Sequence, residues 1–525
     1  MYNIKKFTLR CRKSNFLRHL HNGSEKMINY RTSGVLMHIT SLPGKYGIGV
    51  MGEEALRFAK KICDMGFHMW QVLPLTPVDG SGSPYCSASA YAGNIALIDP
   101  EALFEEGIIT ESELKGNEYN GSIYCTDYSF SYNKRLETLR KAFVRITDDT
   151  RALIEIFTRQ NSQIESFAYY MALKSHYSEK PWWEWDEKHA KYENAVNDKE
   201  SFRQEIDFYI FTQYVFFTQW RRLKENANSM GVRFLGDMPI YVSRDSADVW
   251  SNRGLFQINE KSLAPTHVAG VPPDYFSEDG QLWGNPLYNW DEMEKDGYKW
   301  WIERISCTLK LYDSVRIDHF RAFASYWAVP AESKTAKNGE WIDGPGMKLF
   351  TKVKNALGDA DIIAEDLGTF GEDVVKLLED TQFPGMRVIQ FGFDPNGDST
   401  HLPHNYPKNS VAYVGTHDNN TILGWLWDAT PDERAFALRY CCFGGNNWGD
   451  GGAHSGSCRA VIEAVWRSSS NTAIVAIQDM CGYGKDARMN IPGTDKENWT
   501  FRISKEGLDS IDEGYFREIN RVYRR

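Results

Sequence analysis

Four carboxylate residues stand where short apolar segments of the sequence end. Asp237, Asp318 and Glu365 each follow a run of mainly apolar residues, and Asp418 comes shortly after another such run. Carboxylates gathered in this way support two kinds of chemistry. They can act as nucleophile and proton donor at a glycosidic bond, or they can bind the metal ions of phosphoryl-transfer enzymes. The second kind needs a phosphate-binding glycine motif, and neither GxxxxGKS nor GxxxxGKT occurs in the sequence.

Asp318 and Glu365 carry the strongest signals for glycosidic chemistry. In the segment VRIDHFR, Arg316 lies two residues before Asp318, so both side chains of an extended strand point to the same side. A guanidinium lowers the pKa of a neighbouring carboxyl and orients it, as a carboxylate nucleophile requires, although a structural ion pair would give the same pattern. Glu365 follows the apolar run 362–364, and partial burial would raise its pKa toward that of a general acid. The residues therefore predict a retaining carbohydrate-active enzyme with Asp318 as nucleophile and Glu365 as general acid/base.

Eight short, β-rich apolar runs must position these side chains. Helical stretches lie between several of them, and this alternation predicts a parallel sheet. Eight such units close into a (β/α)₈ TIM barrel, whose chemistry is found at the carboxyl ends of the strands. The predicted fold is therefore α/β, a barrel with large, mainly helical insertions between strands. The predicted strands are 35–39, 68–73, 233–238, 314–318, 361–365, 386–391, 411–416 and 474–478.

The uneven spacing of these strands indicates insertions within one catalytic domain, residues 30–525. The insertion at about 78–230 is too long for one loop, so it is expected to fold as a mainly helical subdomain. A second inserted subdomain covers 243–297. Residues 1–29 form a basic extension, which is expected to be non-essential. A transit peptide would also be basic, but a dispensable tail or a start at Met27 fits the lack of clear amphipathicity better.

Charge and composition exclude several classes of partner. The sequence has 60 Lys and Arg against 70 Asp and Glu, a net charge of −10, so it has no positive field to attract nucleic acid or anionic membranes. It has no apolar run of about 18 residues that could span a bilayer. The nine cysteines lack the spacing of a disulfide framework, which predicts reduced thiols and a cytoplasmic location.

Two further motifs suggest other chemistry, and neither is favoured. His401 and His404 have an HxxH spacing, but a zinc site needs further convergent ligands that the sequence does not offer. Gly47, Gly49 and Gly52 form a GxGxxG pattern, which could indicate a nicotinamide enzyme. The dinucleotide fingerprint follows its strand immediately, whereas this pattern begins eight residues after the predicted strand 35–39, so glycines of a loop and a helix start are favoured.

Long segments of the sequence, in a fixed order, resemble the amylomaltases. These are the 4-α-glucanotransferases or disproportionating enzymes of glycoside hydrolase family 77, in the α-amylase clan. The resemblance extends from residue 33 to about residue 502 and leaves the basic extension outside. The matching segments are SGVLMHITSLPGKYGIG, WQVLPLTP, GDMPIYVSRDSADVW, VAGVPPDYFSEDGQLWGNPLYNW, VRIDHFRAF, IIAEDLG, FPGMRVIQFGF, GTHDNNT and ARMNIPGT.

The resemblance implies a distorted barrel that acts on α-1,4-glucans by retaining double displacement, with no metal and no organic cofactor. It implies Asp318 of VRIDHFR as nucleophile and Glu365 of IIAEDLG as general acid/base. It adds Asp418 of GTHDN as a third carboxylate, which binds donor-sugar hydroxyls and stabilises the transition state. Arg316 and His417 are then substrate-binding and electrostatic residues.

The resemblance also implies a second set of substrate-binding residues. Asp237 matches a position near the bound sugar, although a structural role is nearly as well supported. Tyr85, Asp274 and Trp283 lie in the matching loops, where core packing is the alternative for each. Cys86 departs from the family pattern, because a polar Gln is expected after SPY. One contact to a donor or acceptor sugar is therefore in doubt.

Transfer and hydrolysis share the same two carboxylates, so the carboxylates alone do not separate them. A transferase must hold an acceptor sugar and exclude water, and the aromatic segment 268–290 suits a rigid lid. The resemblance favours a 4-α-glucanotransferase of maltodextrin, starch or glycogen metabolism, present as a monomer or homodimer. A retaining α-glucan hydrolase is the alternative, and a non-catalytic glucan-binding protein is a remote one.

Overall fold

Short strands and longer helices alternate along the chain. The computed structural model describes residues 30–273, 278–368, 371–494 and 497–525. The strands in these residues are β1 (Thr32–Leu36), β2 (Met69–Gln71), β3 (Arg233–Met238), β4 (His267–Val271), β5 (Gln281–Pro286), β6 (Ser314–Ile317), β7 (Ser325–Pro330), β8 (Glu340–Asp343), β9 (Ile362–Ala364), β10 (Gly385–Val388), β11 (Ser410–Tyr413) and β12 (Thr472–Ala476).

Eight of these strands form one parallel sheet, in the order β10-β11-β12-β1-β2-β3-β6-β9. Its two edge strands meet, since the N–H of Ala364 in β9 donates to the carbonyl of Pro384, just before β10, at 3.0 Å. The sheet therefore curves into a nearly closed barrel. The predicted (β/α)₈ fold is confirmed, with its eight strands in the predicted order along the chain.

Helices surround the barrel and bury their apolar faces against it. Phe58, on the helix between β1 and β2, contacts the ring of Trp70 in β2 with ring centroids 4.8 Å apart. The α-helices of the described residues are Glu53–Asp64, Pro100–Glu105, Glu111–Lys115, Tyr128–Val144, Asp148–Gln160, Ser162–His176, Glu187–Ala190, Tyr192–Ala195, Arg203–Met230, Ala247–Ser251, Trp290–Lys295, Lys299–Leu311, Gly346–Leu357, Glu372–Thr381, Ile422–Asp428, Pro431–Tyr440, Gly456–Arg467, Ile477–Met480, Lys505–Asp509 and Glu513–Val522.

Several predicted strand boundaries are wrong by a few residues. β1 and β12 begin and end before the predicted strands 35–39 and 474–478, and β10 ends before residue 391. In each case the apolar run continues past the strand into a buried helical turn, such as Ile39–Ser41 after β1. Composition cannot separate a strand from a buried turn that follows it, because both are apolar.

Residues 78–230 fold as helices and connecting loops, without a strand among the described residues of this segment. Two tryptophans of this segment pack where it meets the segment 243–297. Trp182 and Trp185 are buried, and the ring of Trp185 lies 5.7 Å from that of Trp250. Nε1 of Trp182 also donates to the carbonyl of Arg244 at 2.7 Å, so these indoles join the segments 78–230 and 243–297.

A second, antiparallel sheet lies beside the barrel, in the order β5-β4-β7-β8. Two of its strands, β4 and β5, come from the segment 243–297, and the other two follow Asp318 in the chain. The sequence pattern did not predict this sheet. β4 pairs with β5 and β7 with β8 as chain neighbours, but the pairing of β4 with β7 joins two distant segments, and the short strands give little local signal of it.

Two observations bear on the environment of the chain. None of the helices in the described ranges combines the length and apolar composition that crossing a membrane requires. No disulfide joins the cysteines of those ranges.

Gly236 lies next to Asp237 in β3, and replacing it tests how tightly the barrel wall is packed. A Cβ at this position would overlap the ring of Tyr312, whose hydroxyl accepts the N–H of Leu75 at 3.3 Å. We expect Gly236→Ala to lower the free energy of unfolding by about 1–3 kcal/mol, because the ring must shift in a close-packed interior. The matched control is Gly254→Ala, where an added Cβ has no atom within 4 Å. Thermal denaturation of both variants measures the difference, and equal melting temperatures would contradict it.

Candidate active site

The acidic residues that the sequence singles out meet at the carboxyl end of the barrel strands. Asp237 lies in β3, and Asp318 follows β6. Glu365 follows β9, and Asp418 lies beyond β11. Because the strands of this sheet are parallel, their carboxyl ends share one rim. The register of β3 and β6 also pairs Asp237 directly with Arg316.

Arg316 is the centre of the charge network at this rim. It is 3% exposed, and its guanidinium donates to both oxygens of Asp237, from Nε to Oδ1 at 3.1 Å and from Nη2 to Oδ2 at 2.8 Å. Nη2 also donates to Oδ1 of Asp318 at 2.8 Å. A buried guanidinium is costly unless carboxylates pair with it and accept its hydrogen bonds. Arg316 therefore fixes the orientation of Asp318 while Asp237 balances its charge.

Tyr85 and His417 extend this network. The Tyr85 hydroxyl donates to Oδ2 of Asp237 at 2.7 Å and lies 3.0 Å from Nε2 of His417. The two rings stack with centroids 5.3 Å apart, and Trp499 packs against both. Nε2 of His417 also lies 3.4 Å from Oδ2 of Asp418. Tyr85 and His417 thus join Asp237 to Asp418, two carboxylates from different strands.

Glu365 occupies a buried position on the same rim. Its carboxyl oxygens accept backbone hydrogen bonds, Oε2 from the N–H of His319 and Oε1 from the N–H of Leu367, both at 2.7 Å. Burial raises the pKa of Glu365 to about 8, and the negative charge of Asp318 contributes to this rise. The direction is the one that the sequence pattern predicts. Glu365 is therefore protonated at neutral pH, as a general acid must be.

The pKa of Asp318 differs from the sequence-based expectation. Arg316 lowers the pKa of this carboxyl, as predicted, but burial raises it by more, so its pKa lies above the ordinary value. Its side chain nevertheless remains 31% exposed toward the cleft. Asp318, rather than Glu365, accepts the guanidinium hydrogen bond, and this favours the negative charge on Asp318.

Asp418 is more exposed than the other three carboxylates, with 46% of its side chain accessible. Oδ1 of Asp418 accepts a hydrogen bond from Nδ2 of Asn490 at 2.6 Å, and its carbonyl accepts one from Arg488. The N–H of Asn490 also donates to the carbonyl of His417 at 3.1 Å. The sequence reasoning did not single out Arg488 and Asn490, although both lie in the segment ARMNIPGT. They hold the 417–418 segment at the rim.

The remaining predicted substrate-binding residues have different positions. Trp283, in β5, is 37% exposed, and its ring meets that of His319 edge to face at 4.7 Å, next to Glu365. Cys86 is half-buried beside Tyr85, and burial raises the pKa of its thiol. Asp274 lies outside the described residues.

Packing and hydrogen bonds explain residues of the GxGxxG pattern and of the HxxH spacing. A Cβ at Gly49 would overlap the carbonyl of Ile39, and one at Gly52 would overlap the carboxylate of Asp99, so close packing accounts for these glycines. Nδ1 of His401 accepts the N–H of Val388 at 3.1 Å. In the described ranges, no three His, Cys, Asp or Glu side chains are grouped so that they could hold a metal ion.

The raised pKa of Glu365 predicts a pH-dependent cost to stability. The folded state binds this proton more tightly than the unfolded state, in which an ordinary Glu titrates near pH 4.3. The cost is therefore absent at low pH and grows as the pH rises from about 4 to about 8. As the pH rises from 5 to 9, we expect the free energy of unfolding of Glu365→Gln to increase by roughly 2–4 kcal/mol relative to that of the wild type.

Thermal unfolding at several pH values measures this gain. Glu340→Gln, which changes an exposed carboxyl on β8, is the matched control and should follow the wild type. A difference between Glu365→Gln and the wild type that stays constant from pH 5 to pH 9 would contradict the prediction.

Known proteins share both the sequence and the fold of this chain. The family model described as 4-alpha-glucanotransferase matches residues 37–508. The 4-alpha-glucanotransferase of Streptococcus pneumoniae is 43% identical over 503 residues, which cover 94% of this chain and 97% of that protein. The 4-alpha-glucanotransferase of Thermus thermophilus is 41% identical over 485 residues, which cover 90% of this chain and 95% of that protein.

Solved structures agree with these matches. The amylomaltase from Streptococcus agalactiae, in complex with acarbose, superposes with a TM-score of 0.90 at 40% identity and covers 94% of this chain and 99% of its own. The amylomaltase from Corynebacterium glutamicum shares the fold, with a TM-score of 0.76 at 18% identity, over 97% of this chain and 76% of its own. The resemblance first noted in the sequence motifs is thus confirmed over nearly the whole chain. The chain belongs to the 4-alpha-glucanotransferase family.

Proposed function

We propose that this 4-alpha-glucanotransferase moves segments of α-1,4-glucans by double displacement, with Asp318 as nucleophile and Glu365 as general acid and base. The observation that carries the proposal is the pairing of Asp318, held by Arg316 at 2.8 Å, with a buried Glu365 whose pKa is raised to about 8. Retaining glycosidic cleavage requires a carboxylate that attacks and, beside it, a carboxyl group that gives a proton, and a guanidinium partner and a raised pKa favour these two states.

In the first step, the Asp318 carboxylate attacks the anomeric carbon of the donor glucose and the bond from that carbon to the glycosidic oxygen breaks. Glu365 gives its proton to this oxygen, so the remainder of the donor leaves as a neutral alcohol. Arg316 holds Oδ1 of Asp318 in place during the attack. A glucosyl ester on Asp318 is then the intermediate.

The second step reverses these roles. Ester formation removes the negative charge of Asp318, which is one of the causes that raise the pKa of Glu365. The pKa of Glu365 therefore falls, and its carboxylate can accept the proton of an acceptor hydroxyl. The acceptor oxygen attacks the anomeric carbon, the ester bond breaks and Asp318 regains its charge. The configuration at the anomeric carbon is retained because it is inverted twice.

The other rim residues support binding and positioning roles. We propose that Asp418, with its exposed carboxylate, accepts hydrogen bonds from donor-sugar hydroxyls and stabilises the transition state. His417 and Tyr85 are proposed to contact the same sugar. Asp237 is better suited to a positioning role, because its side chain is fully buried and both of its oxygens accept hydrogen bonds from Arg316. Trp283 is proposed to cover the sugar from the antiparallel sheet.

Transfer is favoured over hydrolysis by the activities of the relatives, because both reactions use the same first step. The amylomaltase from Streptococcus agalactiae was solved with acarbose, and by that similarity we propose maltooligosaccharides and amylose as substrates here. Asp274 belongs to the proposed substrate-binding set on the resemblance of its segment alone. A retaining α-glucan hydrolase is the alternative. A glucan-binding protein without activity would not need the paired Asp318 and Glu365.

We also propose the organisation and location of the chain. Residues 30–525 form one catalytic domain with inserted subdomains at about 78–230 and 243–297, and residues 1–29 are a dispensable basic extension. The absence of disulfides among the described cysteines supports a cytoplasmic location. The protein is proposed to act as a monomer or homodimer.

Incubation with maltotriose tests the proposed reaction. We expect glucose and a ladder of longer maltodextrins, because each glycosyl intermediate is passed to a second sugar. Asp318→Asn should lower this activity by at least about a thousandfold, since it removes the attacking carboxylate. The matched control is Asp343→Asn, which changes an exposed carboxyl on β8 and should leave the ladder intact.

The other outcomes separate the alternatives. Products limited to glucose and maltose would indicate hydrolysis, and no products from the wild type would indicate binding without catalysis. A ladder made by Asp318→Asn at the wild-type rate would remove Asp318 from the role of nucleophile.

A further inference from the structure

Trp341 is an exposed tryptophan on β8, in the antiparallel sheet beside the active site. It is 43% exposed, and no role in the reaction described above depends on it. Exposed indoles are enriched at binding surfaces, because they offer a flat apolar face together with a polar N–H group. Trp283 is the other strongly exposed indole of this sheet. Its ring contacts that of His319, whose N–H donates to Glu365.

The indole of Trp341 is held in a fixed position. The guanidinium of Arg321 lies over its ring at 4.0 Å from the centroid, a cation–π contact. The ring of Trp327, opposite it on β7, meets it edge to face at 5.2 Å. The N–H of Gly344, directly after β8, donates to the carbonyl of Ala324 at 2.7 Å and ties the end of the strand to the chain before β7. The side chain is thus preorganised, which lowers the entropic cost of binding a ligand to it.

This contact connects Trp341 to the general acid. Arg321 belongs to the turn that follows Asp318, and two N–H groups of this turn bind Glu365. The N–H of His319 donates to Oε2, and the N–H of Phe320 donates to the carbonyl of Glu365 at 3.1 Å. Glu365 is also near enough to Arg321 to oppose the lowering of the Arg321 pKa by burial. Trp341 is therefore separated from the turn that binds Glu365 by a single side chain, that of Arg321.

The proposed reaction determines which sugars lie next to Glu365. Glu365 gives its proton to the leaving oxygen and later takes one from the acceptor hydroxyl, so leaving group and acceptor share the space next to it. A pyranose ring has an apolar face of C–H groups that packs on an indole. The presence of an acceptor sugar next to Glu365 rests on the proposed transfer reaction.

We propose that Trp341 is a stacking platform for an acceptor glucan, and that it binds a glucose unit beyond the one that contacts Glu365. The platform would favour maltooligosaccharides over glucose as acceptors. It would act on both the departing segment and the incoming acceptor, because the two occupy the same site in turn.

Acceptor kinetics of Trp341→Ala test this proposal. A donor blocked at its terminal 4-hydroxyl cannot itself act as acceptor, so glucose and maltotetraose can be compared as acceptors at saturating donor. We expect kcat/KM for maltotetraose to fall by about 3- to 10-fold, the loss expected for one stacking contact. The value for glucose should change by less than about twofold, because glucose does not reach the platform.

Two further variants act as controls. Trp427→Ala removes an indole of equal exposure, 43%, from the helix Ile422–Asp428, and should not change the ratio between the two acceptors. Trp341→Tyr keeps an aromatic face and should keep most of the preference for maltotetraose. Thermal unfolding of each variant checks that the fold is intact. If Trp341→Ala does not fold, Trp341→Leu, which keeps an apolar side chain without a flat aromatic face, takes its place, and the same selective loss with maltotetraose is expected.

Each outcome has a distinct meaning. Equal losses with glucose and maltotetraose would show that Trp341 only supports the turn at 319–321, and unchanged kinetics would show that it does not contact the acceptor. Either result overturns the platform. Failure of the wild type to transfer to any acceptor would instead overturn the proposed function itself.

Discussion

The buried guanidinium of Arg316 is the interaction on which the site depends. It lies inside the barrel rim, so it needs carboxylate partners, and it finds two, Asp237 and Asp318. Asp237, the partner that does not react, has a use in the proposed mechanism. When Asp318 becomes a neutral ester, Arg316 keeps its ion pair with Asp237, and no unpaired charge is left buried. Asp237 thus allows Asp318 to lose its charge during the reaction without a large electrostatic cost, and Tyr85 holds Asp237 in turn.

The parallel barrel brings the carboxylate partners of Arg316 within hydrogen-bonding distance. Asp237 and Arg316 face each other because β3 and β6 are neighbours, and Arg316 pairs in turn with Ile363 of β9, two residues before Glu365. Asp237, the Arg316–Asp318 pair and Glu365 therefore come from three adjacent strands of one sheet, β3, β6 and β9. Groups that need less exact placement come from loops, as Tyr85 and Asn490 do. Rigid strands position the reacting carboxylates, while loops complete the sugar-binding surface.

The sequence was informative where local pattern and chemistry coincide. Carboxylates after apolar runs identified Asp318 and Glu365, and eight such runs predicted the barrel. Contacts between distant segments were not predictable, such as the stacking of Tyr85 on His417 or the hydrogen bond from Asn490 to Asp418. The pKa of Asp318 was predicted in the wrong direction because burial, which exceeds the effect of Arg316, depends on tertiary packing. The antiparallel sheet was also missed, since the pairing of β4 with β7, which joins its two hairpins into one sheet, is non-local.

In the proposed reaction, Asp318 forms a covalent bond to the donor sugar while Glu365 supplies and removes the proton. Reaction of Glu365→Gln with α-maltosyl fluoride, followed by mass spectrometry, tests it most directly. Fluoride leaves without a proton from residue 365, but the second step lacks its base, so the intermediate should accumulate. The predicted result is one maltosyl group on the peptide that contains Asp318. A maltosyl group on another carboxylate, or fluoride release without any adduct, would contradict the claim.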